Sequence, residues 1–226
     1  IAHRRISSLL ASMEGKTGGK FFEYVLRPFD RAATREQGLR TEYAVKLQKV
    51  MKPLEAKLKN HGAKHYTEIG ASLTGHQLVS VLLNWGNDVN AQRLIDGSDQ
   101  YDWTDIQDDG TRHKWTAEGV RRVIEKEFSA EELQAAQDVW RLFDELWPEV
   151  VALEERMGNR PPVRQEPRSS TFTLNDGQVV TLEGGYYPIR FDRGVSNRSA
   201  QQEDEAASLA QFGMSASNST TYQGFV

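Results

Sequence analysis

A run of large apolar residues past the middle of the chain most constrains its fold. Leu133, Ala136, Trp140, Phe143, Trp147 and Val150 recur three and four apart. A second stripe, Val139, Leu142, Leu146, Val150, Leu153 and Met157, runs beside the first. Two adjacent stripes require a helix covered on more than one side. Ser129-Ala130-Glu131-Glu132 opens it as a capping box, in which the Ser hydroxyl and the Glu carboxylate satisfy free N–H groups at the helix start. A helix from 130 to 157 would be about 40 Å long at about 1.5 Å per residue. Pro148 should bend it, and Gly158 with Pro161 and Pro162 should end it. Such a helix needs others around it, so the spacing predicts a mainly α fold: a multi-helix bundle with long bent helices.

The preceding chain agrees. Residues 2–14 and roughly 20–60 read as helix, with Leu39, Tyr43, Leu47, Val50, Leu54 and Leu58 on one stripe. Pro53 should kink or restart it, and His61-Gly62 should stop it. Thr74-Gly75-His76-Gln77 is a further capping box, before Leu78, Val79, Leu82, Leu83 and Trp85. Gly86-Asn87 breaks that helix, Val89, Leu94 and Ile95 give another turn or two, and residues 96–110 read as an acidic loop. Trp115-Thr116 opens one more helix, to about Phe128. After a Pro-, Arg- and Ser-rich linker, Asp176-Gly177 between alternating residues predicts one small β-hairpin from Thr171 to Leu182. The reading divides the chain into a basic helical region (1–62), a helical bundle core (63–158), a linker with hairpin and Tyr-Tyr-Pro segment (159–192), and a polar, largely extended tail (193–226).

Composition narrows the function classes. The chain has 226 residues, 38% hydrophobic and 27% charged, and no cysteine, which excludes disulfides, thiolate nucleophiles and cysteine-ligated zinc. The longest apolar run, Leu78 to Leu83, is interrupted by Ser80 and too short to span a bilayer, so no transmembrane segment is expected. The chain opens at Ile1, as a processed chain or an excerpt of a longer one would. The net charge of -4 is uneven: residues 1–60 carry 13 Lys/Arg against 6 Asp/Glu, giving +7, and the rest carries -11. That basic region could meet nucleic-acid phosphate, but its charges sit among helical apolar positions as a solvated face would.

The motifs nearest to known chemistry are incomplete. A calcium loop starting at Asp105 places Gln107, Asp109 and Gly110 suitably, but its twelfth residue is Thr116, which cannot chelate. His61 and His65 are four apart without the neighbouring Glu of a zinc protease. Gly15 to Lys20 departs from a phosphate loop, because Phe21 follows Gly19-Lys20 where a hydroxyl residue belongs. No Gly-x-Ser-x-Gly elbow is present. The reading is therefore non-enzymatic, with no catalytic, metal or cofactor residues. Trp115, Trp140, Phe143 and Trp147 are expected to pack the core or an interface, and Tyr186 and Tyr187 to anchor the carboxy-terminal segment on the helical body.

Four ordered motifs carry a family resemblance. Gly86-Asn87 with Asn90, Arg93 and Leu94, a helix led by Trp115, the run Asp138 to Pro148 (DVWRLFDELWP) on the next helix, and Gly184-Gly185-Tyr186-Tyr187-Pro188-Ile189 occur in that sequence. Together they resemble a segment, covering about 70–200, of very large phage and prophage polyvalent proteins. The chain departs from the pattern in separating Asn90 from Arg93 by Ala91 and Gln92. The resemblance implies a piece of a far longer chain, similar to internal virion proteins ejected with the genome. It further implies partners among other segments or copies of that chain and other virion proteins.

Overall fold

The computed structural model describes residues 19–20, 22–59, 62–101, 103–158 and 164–188. The helix expected at 2–14, His61, Pro161, Pro162 and the tail at 193–226 lie outside the described residues. Two compact units are present: Lys46–Ile189, and a second made of residues 1–45 and 190–226. The stretches assigned to the bundle core and to the linker and hairpin thus belong, up to Ile189, to one unit.

The chain is mainly helical, as the apolar spacing requires. A π-helical turn at Phe22–Leu26 leads into α1 (Arg27–Met51), and α2 (Glu55–Lys59) follows a 3-10 turn at Lys52–Leu54. Pro53 accounts for that turn: it has no N–H to continue the α pattern, and the tightened backbone carries Leu54 into the core, fully buried. The stripe expected from Leu39 to Leu58 is completely buried only at Leu54. No residue of α1 is buried, and Val50, Met51 and Leu58 lie against the edge of the core.

Four further helices form the body: α3 (Gly75–Asn84), α4 (Asp88–Asp96), α5 (Ala117–Glu127) and α6 (Ala130–Arg156). Each begins at a side-chain cap. Thr74 and Ser129 make complete capping boxes with Gln77 and Glu132, Asn87 accepts from the Asn90 N–H at 2.8 Å, and Thr116 from the Gly119 N–H at 3.0 Å. The helix α6 continues through Pro148 and ends at Gly158, whose φ of +73° suits a residue without a side chain.

Two short antiparallel hairpins complete the unit. The hairpin expected near 171–182 is present as β3 (Ser170–Thr173) and β4 (Val179–Leu182), with Phe172 opposite Val180. Strand β3 is stitched to α5: Arg121 donates to the Thr171 carbonyl at 2.8 Å, and the Thr173 N–H to the Glu125 carboxylate at 3.0 Å. A hairpin that the periodicity did not disclose, β1 (Lys64–Tyr66) with β2 (Ala71–Leu73), lies between α2 and α3. It turns at Gly70, whose φ is +54°. The core under these elements is continuous and includes Leu73, Leu82, Trp115, Val120, Ile124, Leu133, Trp140, Phe172 and Leu182.

Candidate functional site

The residues of the sequence motifs meet at a buried joint where α3, α4 and α6 receive an extended strap, residues 183–188. Its centre is Trp140, projected from α6 and almost fully buried. The indole N–H donates to the Leu83 carbonyl at 2.9 Å, one of the acceptors that the end of α3 leaves open. A buried indole usually takes such a partner, and here the bond ties α6 to the end of α3.

The backbone at Gly86 then approaches as closely as it can. Its carbonyl accepts from the Gly185 N–H at 2.7 Å and from the Arg168 N–H at 2.9 Å. A Cβ on Gly86 would fall on the Trp140 ring, and a Cβ on Gly185 would meet the base of the Trp140 side chain. Gly184 has a φ of +82° and lies against the Gly86 and Arg168 backbone. The paired glycines are therefore required by contact as well as by conformation.

Three side-chain amides hold the strap by its backbone. Gln137, only 3% exposed, accepts from the N–H groups of Glu183 at 2.8 Å and Gly184 at 3.1 Å, and donates to the Gly184 carbonyl at 3.1 Å. Asn87 donates to the Gly185 carbonyl at 3.3 Å, and Asn90 to the Tyr187 carbonyl at 2.8 Å. Each amide offers both a donor and an acceptor, which suits it to recognise extended backbone with no sheet partner. Arg168 closes the outside: its guanidinium lies 4.4 Å from the centroid of the Trp85 ring and 3.3 Å from the Asp88 carboxylate. Beside it, Asp88, Val89, Gln92, Arg93 and Arg168 line a shallow open hollow.

Four of the six aromatic residues singled out from the sequence fall in two places. Trp140, Phe143 and Tyr187 belong to the joint, where the rings of Phe143 and Tyr187 meet edge to face at 5.8 Å. Burial raises the Tyr187 phenol above the usual tyrosine range. Trp115 is buried elsewhere, edge-on to Tyr101 at 5.5 Å. Trp147 and Tyr186 are half-buried. Sequence periodicity alone did not single out Gln137, because a glutamine inside an apolar helix reads as a solvent-facing position. Its signal is its place between the two stripes, one turn before Trp140.

No family model, curated protein or solved structure matches the chain. Among the described residues, no group of three or more His, Cys, Asp or Glu side chains is placed to hold a metal ion, and no helix is long and apolar enough to cross a membrane. The aspartates of the 96–110 loop serve local ends where their contacts are defined: Asp96 accepts from Gln92, and Asp109 from the Thr111 N–H and hydroxyl. The Thr111 bonds hold the Asp109 carboxyl below the usual range.

Proposed function

We propose that this chain is a structural, non-catalytic scaffold segment of a large bacteriophage internal virion protein, carried inside the particle and ejected into the host with the genome. The observation that supports it is the joint itself. The motifs that carry the family resemblance, around Gly86-Asn87, Trp140 and Gly184-Gly185, are engaged with one another in holding backbone to backbone. Residues engaged in this way supply architecture, which is what a scaffold segment contributes. Partners on this reading are other segments or copies of the same long chain and other virion proteins. The test is peptide mass spectrometry on purified particles before and after triggered genome release. Peptides of this chain in filled particles, lost on ejection, are expected; their absence from filled particles would reject the reading.

The amino-terminal charge favours a second reading, contact with nucleic acid. Lys49, Lys52 and Lys59 are exposed within the region that carries +7. This reading predicts binding to duplex DNA that weakens steeply as salt rises, and is rejected by absent or salt-insensitive binding.

A further inference from the structure

A rigid aromatic ladder runs from the core to the surface on the loop that follows α4. Trp115, at the bottom, is 2% exposed; Tyr101 stands edge-on to it; and Trp103 stacks on Tyr101 with centroids 4.9 Å apart and planes 15° from parallel. Trp103 is nevertheless 38% exposed, and Ile106, three residues on, is 66% exposed. The backbone beneath is fixed. The Ser72 N–H donates to the Trp103 carbonyl at 3.0 Å, the Asp105 N–H to the Gly70 carbonyl at 2.7 Å, and the Thr104 hydroxyl to the Ser98 carbonyl at 2.9 Å. An indole held this way loses little freedom on contact, which is the property of an interface anchor.

Charge states what such an anchor would meet. Residues 96–110 contain six aspartates and no Lys or Arg, and Asp96, Asp99, Asp105, Asp108 and Asp109 are exposed. Among the described residues, His65 lies 3.6 Å from Asp105, the His113 N–H donates to the Asp105 carbonyl at 2.8 Å, and Arg112 donates to the Thr104 carbonyl at 2.9 Å. A partner must therefore bring cations together with apolar side chains. The sequence of this chain contains such a segment. Residues 1–20 carry Arg4, Arg5, Lys16 and Lys20 against Glu14, and Ile6, Leu9, Leu10 and Met13 recur three and four apart among them.

We propose that the exposed stretch Trp103–Asp109 is a docking surface for residues 1–20 of a second copy of this chain. Arg4 and Arg5 meet the aspartates and the Trp103 ring, and the apolar residues cover Ile106. The two surfaces differ, so the contact is head-to-tail and extends from copy to copy. The inference rests on the scaffold reading only in choosing a second copy as the partner.

Sedimentation of the full chain over a range of concentrations, at about 50 mM and about 500 mM salt, tests it. The expected result is self-association at low salt that weakens at high salt. Trp103→Ala and the pair Arg4→Glu, Arg5→Glu each weaken it by about tenfold or more, while the helical circular dichroism is unchanged. Combining Arg4→Glu, Arg5→Glu with Asp105→Lys, Asp108→Lys restores it. A chain monomeric at every concentration and salt, or association indifferent to Trp103→Ala or to the arginine reversal, overturns the proposal. A monomeric chain still found in filled particles would remove the docking surface and leave the scaffold reading standing.

Discussion

The Trp140 indole and the Gly86 backbone are in direct contact, so that the space a single Cβ on Gly86 would need is already occupied by the Trp140 ring. The contact lets the Gly86 carbonyl turn to the strap and accept the Gly185 N–H at 2.7 Å. The bend after α3, the longest helix and the carboxy-terminal strap are thereby fixed by one arrangement.

Gly86→Ala should accordingly destabilise the unit by about 1–3 kcal/mol, because neither the buried indole nor the opposing backbone can withdraw. Chemical denaturation measures this directly. Gly110→Ala is the converse change: it meets no neighbouring atom and carries only the strain of a φ of +82°, which Gly86 does not have, so the pair separates the cost of contact from that of conformation.

Replacing Gln137 by Leu keeps the volume in the core and removes three hydrogen bonds to the strap. Leaving those backbone groups without partners should cost about 2–4 kcal/mol. One turn earlier, the exposed Gln134 bonds only Asp138 among the contacts defined for it, and Gln134→Leu should change stability by about 0.5 kcal/mol or less. Equal effects at the two positions would refute the role assigned to Gln137.

Loss of the Ser129 hydroxyl removes the acceptor for the Glu132 N–H at 3.2 Å, at the start of the helix that presents both Gln137 and Trp140. Ser129→Ala is expected to cost about 1 kcal/mol in thermal or denaturant unfolding, and Ser129→Asp to preserve most of the stability.

Stability should also fall in alkali. Burial raises the phenols of Tyr101 and Tyr187, and burial with the nearby Glu127 carboxylate raises that of Tyr66. Below about pH 10, the ordinary tyrosine value, these phenols are neutral in both folded and unfolded chains and the contribution is complete. Above it, the unfolded chain ionises first, so stability declines as pH rises towards the folded-state values. Unfolding free energy followed from about pH 8 upwards, with tyrosinate absorbance, would show the decline and a delayed fraction of the titration. A flat profile with all tyrosines titrating together would contradict it.

The helices were legible because their cause is local. Spacing of apolar residues and the boxes Thr74–Gln77 and Ser129–Glu132 specify where they start and which face they bury, and the structure has both boxes complete. The β3–β4 turn was equally local, with Gly177 at a φ of +83°. Hairpin β1–β2 was not legible, since strands of three residues are too short to show alternation, and their pairing depends on the Trp103–Asp105 segment some 30 residues later. The joint was half legible. Gly86, Asn87, Trp140 and Gly184-Gly185 stood out as motifs, but their meeting, and the part played by Gln137, arise only from tertiary contact.

The claim that these motifs close one cooperative unit is tested most directly by native-state hydrogen exchange at the Gly184 and Gly185 amides. Both should exchange only through global unfolding, with the same free energy as the slowest amides of α6 around Trp140, and Gln137→Leu should lower all of them together. Fast exchange of Gly184 and Gly185 while α6 stays protected would show the strap opening by itself, and would contradict the account.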